Sequence, residues 1–159
     1  MNYLREKDDK CIRLCKLQSR LFERASIEKI PSAYFVKVFA NSKYCNLIDN
    51  LDYFDYSFTD DEIFNYVKSN VKMTRGTIIT PQAMSWIGYL LREWAYIYRT
   101  RMKAILKNVP LSFLNDVYPM YHALDIQKAI QLIAESRGIN INESPEERLR
   151  RIVEKYCCL

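Results

Sequence analysis

Hydrophobic positions recur along this chain at spacings of three and four, the period of helices docked by one face. Over about residues 3–26, Leu4, Cys11, Leu14, Cys15, Leu21, Phe22 and Ala25 share one side. Arg5, Arg13, Lys16, Arg20 and Arg24 share the opposite one. The pattern predicts an amphipathic N-terminal helix, within residues 1–30, laid on a core by a single stripe. Pro31 breaks it, and Ser32 is placed to cap a short helix through Tyr34, Phe35, Val38 and Phe39. A further short helix is expected near Tyr44–Leu51, followed by loop.

Helix start signals set out the rest of the chain. Thr59-Asp60-Asp61-Glu62 is a capping box opening a helix to about Val71, and Arg75-Gly76 reads as a turn. Thr80-Pro81 supplies a cap and a first-turn proline for the longest expected helix, about residues 81–107, which Pro110 ends. A short helix near Ser112–Val117 leads to a connector, Tyr118-Pro119-Met120-Tyr121-His122. Asp125 then caps a helix holding Ile126, Ala129, Ile130, Leu132 and Ile133, stopped by Gly138. Ser144-Pro145-Glu146-Glu147 opens a last helix, about residues 144–157, with Leu149, Ile152 and Val153 expected to face inward. Only Thr77-Ile78-Ile79 reads as a strand, and one strand makes no sheet. The expectation is a single all-α domain over residues 1–159, with six or seven helices around the long central one.

Composition agrees with that picture. At 159 residues the chain can bury a sizeable core, and 49% hydrophobic with 27% charged residues is ordinary globular usage. Three glycines and five prolines are too few for a turn-rich β architecture. No apolar run reaches the roughly 18–20 residues of a membrane span, and the first residues lack the apolar stretch of a secretory signal. A cytoplasmic protein is expected.

The net charge of +5 is mild, but it is segregated. Residues 1–48 carry ten basic and five acidic side chains; residues 49–62 carry six acidic and none basic. Residues 63–108 carry eight basic and one acidic, while the remainder is nearly balanced. The acidic stretch, Asp49, Asp52, Asp55, Asp60, Asp61 and Glu62, is threaded with Tyr53, Phe54, Tyr56 and Phe58. It suits a basic protein partner, or serves to place carboxylates at helix starts.

Candidate chemistry is sparse. Cys11, Cys15, Cys45, Cys157 and Cys158 are an odd number of thiols, which fits reduced cysteines. Cys11 and Cys15 share a helix face, but a single histidine and no Cys-x-x-Cys pair leave a zinc site short of ligands. There is no phosphate-cradling glycine loop, no His-Glu-x-x-His and no Gly-x-Ser-x-Gly. No enzyme, metal or cofactor is expected; an enzyme would have to use His122. On the long helix, Tyr89, Arg92, Tyr96, Arg99 and Lys103 follow helical spacing opposite the apolar side, which holds Trp86, Leu90, Leu91 and Trp94. Such a face neutralises phosphates and stacks on bases, pairs with an acidic protein surface, or is merely solvated. The first helix offers a second basic face in Arg13, Lys16, Arg20 and Arg24. Tyr121, His122 and Asp125 form a third candidate group, with a hydrogen-bonded histidine fixing the connector as its structural reading.

The string Trp86-Ile87-Gly88-Tyr89-Leu90-Leu91-Arg92-Glu93-Trp94-Ala95-Tyr96, followed by Tyr118-Pro119-Met120-Tyr121-His122-Ala123-Leu124-Asp125, resembles a family of small uncharacterised Firmicutes proteins. The resemblance covers about residues 80–134. It implies a gene in a toxin–antitoxin-like cassette, beside a toxin of ADP-ribosyltransferase type. It marks Tyr89, Arg92, Trp94, Tyr96, Tyr121, His122 and Asp125 as important, and carries over no activity. The reading drawn from these features is a non-catalytic antitoxin or inhibitor that binds a protein partner, such as a toxin encoded next to it. The alternatives are a nucleic-acid-binding regulatory module and a phage-encoded inhibitor of a bacterial defence complex.

Overall fold

In the computed structural model, which describes residues 3–157, the chain is all-helical, with no strand among the described residues. The helices are α1 (Asp9–Ile27), α2 (Ser32–Ala40), α3 (Lys43–Asp49), α4 (Asp60–Asn70), α5 (Pro81–Ile97), α6 (Met102–Asn108), α7 (Leu111–Tyr121), α8 (Ile126–Ser136) and α9 (Pro145–Cys157). A 3₁₀ turn at Asp52–Asp55 separates α3 from α4. Cys158 lies outside the described residues.

The start signals work as the sequence predicts. Thr59 Oγ1 accepts from the Glu62 amide while the Glu62 carboxylate accepts from the Thr59 amide, and Asp125 caps α8 by accepting from Gln127 and Lys128. Thr80 caps α5 with Pro81 in its first turn. Ser144 and Glu147 make a reciprocal box at the head of α9.

The stop signals do not all work as expected. The long helix predicted over 81–107 is two helices. Arg99 takes a left-handed φ of 50°, and the Thr100 amide reaches back to the Ala95 carbonyl, a Schellman closure. The same closure ends α1, where Lys29 has φ 59° and Ile30 N–H bonds Ala25 O, and α8, where Gly138 has φ 66° and Ile139 N–H bonds Ala134 O. Only one of the three carries the glycine that advertises it.

Other boundaries move for identifiable reasons. Residues 3–8 are an extended strap rather than the first turns of α1, because Asp8 caps the helix at Cys11. Ser32 is not a cap: its hydroxyl accepts the Ile79 amide and its own amide bonds Thr77 O, so the segment expected as a strand is pinned to the start of α2. The expected connector at 118–122 is the last turn of α7, which runs through Pro119.

α5 lies at the centre, packed along most of its length against α1 and also touching α6, α7 and α8. The closest approach is at Gly88, where a methyl group in place of the hydrogen would lie 2.8 Å from the Gln18 carbonyl and 3.0 Å from the Phe22 ring. The core runs from Cys11, Leu14 and Phe22 of α1 through Phe35, Phe39, Phe64 and Trp94 to Ile130 and Ile133 of α8. α9 contributes nothing to it. Leu149, Ile152 and Val153, expected to face inward, are 63%, 42% and 48% exposed.

Candidate functional site

The face predicted on the long helix is not one continuous surface: Arg92 and Tyr96, at its middle, are buried. Arg92 is fully buried. Its Nε donates to Gln18 Oε1 at 2.9 Å, its Nη1 to Asp49 Oδ1 at 2.6 Å and its Nη2 to Cys45 Sγ at 3.6 Å. Gln18 in turn donates to the Gly88 carbonyl, locking the amide into the α1–α5 contact. Burial pushes the Cys45 thiol up to about 12, so it sits in this cluster as a neutral group. Arg92 is a core cross-brace, because the acidic end of α3 closes over what would otherwise be the outer side of α5.

Tyr96 is buried as well. Its hydroxyl donates to Asp8 at 2.8 and 3.0 Å, and the Arg5 guanidinium lies 5.4 Å over its ring while bonding the Tyr96 carbonyl. The Cys11 amide and then the Tyr96 hydroxyl hold the Asp8 carboxyl below its ordinary range. Tyr89 is half-buried under the Lys7 ammonium, 5.5 Å from its ring. Lys7 also pairs with Glu93 Oε1 at 2.6 Å. Burial pushes the Glu93 carboxyl upward despite that pairing, and Glu93 Oε2 has no hydrogen-bond partner among the described residues. Arg99 and Lys103 are exposed, beyond the break in the helix. The N-terminal strap therefore covers the face that the sequence left open.

The connector residues serve local structure. His122 is exposed, with Nδ1 2.9 Å from Tyr118 O and its ring 4.8 Å from the Tyr118 ring. Asp125 is engaged at the head of α8 and Tyr121 is half-buried. The buried Cys11 and Cys15 sulfurs lie 3.9 Å apart, and Cys157 is exposed. Among the described residues no three His, Cys, Asp or Glu side chains cluster as a metal site would require. No helix among them is long and apolar enough to cross a membrane.

The basic face of α1 divides in two. Its C-terminal half is tied to the acidic segment: Arg20 pairs with Asp60 at 2.8 Å, and Arg24 with Asp61 at 2.6 Å and Glu28 at 2.7 Å. The acidic stretch thus neutralises this chain's own arginines. Its N-terminal half, Arg13 and Lys16, borders a groove of about 460 Å³ walled on the far side by Tyr53, Phe54, Tyr56 and Phe58.

Two features are only half readable from the sequence, which gives their parts but not their placement. One is that groove, since the aromatic turn and α1 meet across some forty residues of chain. The other is the outward stripe of α9, where Tyr156, 67% exposed, joins Leu149, Ile152 and Val153 at spacings of three and four. Arg148 and Arg151 on the other side of α9 border a second groove of about 570 Å³ with Trp94, Tyr98, Ile139 and Ile141. α9 therefore turns Arg148 and Arg151 toward this groove and its apolar side away from it. Compared with known protein families, with curated proteins and with solved structures, the chain matches none.

Proposed function

We propose that the protein is a non-catalytic binding protein, an antitoxin or inhibitor that neutralises a protein partner by direct contact, and that α9 is the element it inserts. One observation carries this reading: Leu149, Ile152, Val153 and Tyr156 form a continuous apolar stripe that the protein's own core leaves uncovered. Anchors at i, i+3, i+4 and i+7 are how an amphipathic helix fills a groove on another protein. Arg150 and Lys155 lie on either side of the stripe and Glu146 lies beside Val153, so the fitting groove is apolar with a polar, charged rim. Because Arg92 and Tyr96 are buried, the proposal rests on the C-terminal helix rather than the central one.

The test is co-expression with the protein encoded next to it, followed by titration of the purified pair. A stable complex is expected, weakened by at least about 2 kcal/mol in a Leu149→Asp/Ile152→Asp variant, as for a central anchor. A complex indifferent to that variant would overturn the assignment to α9. A homodimer dissolved by the same variant would show instead that the stripe's occupant is a second copy of this chain.

A further inference from the structure

The groove between α1 and the 3₁₀ turn combines two chemistries found together at few places on a protein surface. Its floor is Leu14 and Leu17, both buried. One rim is Arg13, Lys16 and Arg20, one helical turn apart; the other is the aromatic segment 53–58. Arg20 and Asp60 neutralise each other, whereas Arg13 and Lys16 have no carboxylate partner among the described residues. Asp60 is the only carboxylate in the lining among the described residues; Asp52 and Asp55 lie outside it. The charge inside is therefore positive although the surrounding segment is acidic. Tyr56 is 53% exposed and held by a stacked contact with Phe58, 5.9 Å between centroids at 20°. It offers a fixed ring to solvent. The volume falls in the ~300–1,000 Å³ range of small-ligand sites.

We propose that this groove binds a nucleotide unit, either free or within a single strand, with phosphate on Arg13 and Lys16 and the base against Tyr56. Arg13, whose guanidinium lies 5.2 Å over the Phe54 ring, and Lys16 have no carboxylate to neutralise them among the described residues and can satisfy a phosphate. An exposed ring supported from behind gives a base a stacking surface without demanding a sequence. An acidic peptide would use the cations and leave the ring idle, which is why the nucleotide is favoured. This site is separate from α9 and does not rest on the partner reading.

The full chain is titrated with labelled single-stranded RNA and DNA oligonucleotides by fluorescence anisotropy, and with AMP and ATP by amide chemical shifts. Binding should weaken as salt rises, and about tenfold in each of Lys16→Glu and Tyr56→Ala. Tyr56→Leu, which keeps an apolar contact with Phe58 but has no ring, should lose as much. Lys103→Glu, on an exposed cation outside the groove, should bind as wild type. Shifts with AMP or ATP at groove amides identify a free nucleotide as sufficient; binding by strands alone identifies the strand as the ligand. The proposal is overturned if neither binds at low salt, or if Lys16→Glu weakens binding but both Tyr56 variants do not. Equal loss in Lys103→Glu, or preference for polyglutamate, would overturn it as well.

Discussion

Arg92 and Asp49 form an ion pair 2.6 Å long in which both side chains are shut away from solvent, at 1% and 4% exposure. Removing one partner of such a pair strands the other charge in the core. Arg92→Ala is therefore expected to destabilise the protein by about 3–5 kcal/mol. Replacing both residues by leucine should recover much of that loss. Denaturant melts of the single and double variants decide it, and an Arg92→Ala protein within about 0.5 kcal/mol of wild type would refute the burial.

Gly88 is where α1 and α5 come closest. A methyl group there meets a backbone carbonyl rather than a movable side-chain tip, so the helices themselves must separate. Gly88→Ala should cost about 1–3 kcal/mol, against the ~1 kcal/mol gain that alanine gives an unencumbered helix. The sign of the change, read by chemical denaturation, is the test.

Lys29 and Arg99 hold left-handed backbone that costs an L-residue about 1–2 kcal/mol. Both side chains are exposed and neither forms an ion pair among the described residues. Lys29→Gly and Arg99→Gly should each raise stability by about 0.5–1 kcal/mol, visible as higher melting temperatures.

Asp8 carries a pH signature. Its folded carboxyl is held below the unfolded value of about 3.9, so its contribution is present above that value and lost as pH falls through the lowered folded one. Asp8→Asn removes this dependence. The melting-temperature gap between wild type and variant should be widest near neutrality and should close in strong acid; a constant gap would disprove the linkage.

The α9 stripe makes the opposite kind of prediction. Because none of its residues is buried, Leu149→Asp/Ile152→Asp should leave the thermal melt within about 0.5 kcal/mol of wild type. A large loss would mean that the stripe packs on the body.

The all-helical class and most helix starts were legible because Thr59, Thr80, Asp125 and Ser144 act within three residues of themselves. Helix ends were less so. Glycine announces the left-handed stop at 138, but lysine and arginine occupy the equivalent positions 29 and 99, where tertiary packing overrides residue preference. Arg92 was misplaced for a different reason. A helical wheel separates an inner from an outer face, and α5 has almost no outer face: α1, α3 and the strap at residues 3–8 close the side that the wheel leaves to water. Asp49, the partner of Arg92, and Asp8, the partner of Tyr96, stand 43 and 88 residues away from them, beyond any local pattern. The groove at Arg13 and Lys16 was half legible, as a basic face without its aromatic wall.

The polar side chains that brace α5 have partners with an order in time. Lys7, Asp8, Gln18, Cys45 and Asp49, which serve Glu93, Tyr96 and Arg92, all precede α5 in the chain. During synthesis, which builds a chain from its N-terminus, each of these groups has left the ribosome before α5 follows. The central helix thus emerges into a waiting set of counter-charges and acceptors, and its buried arginine and glutamate never have to wait for a partner still to be translated.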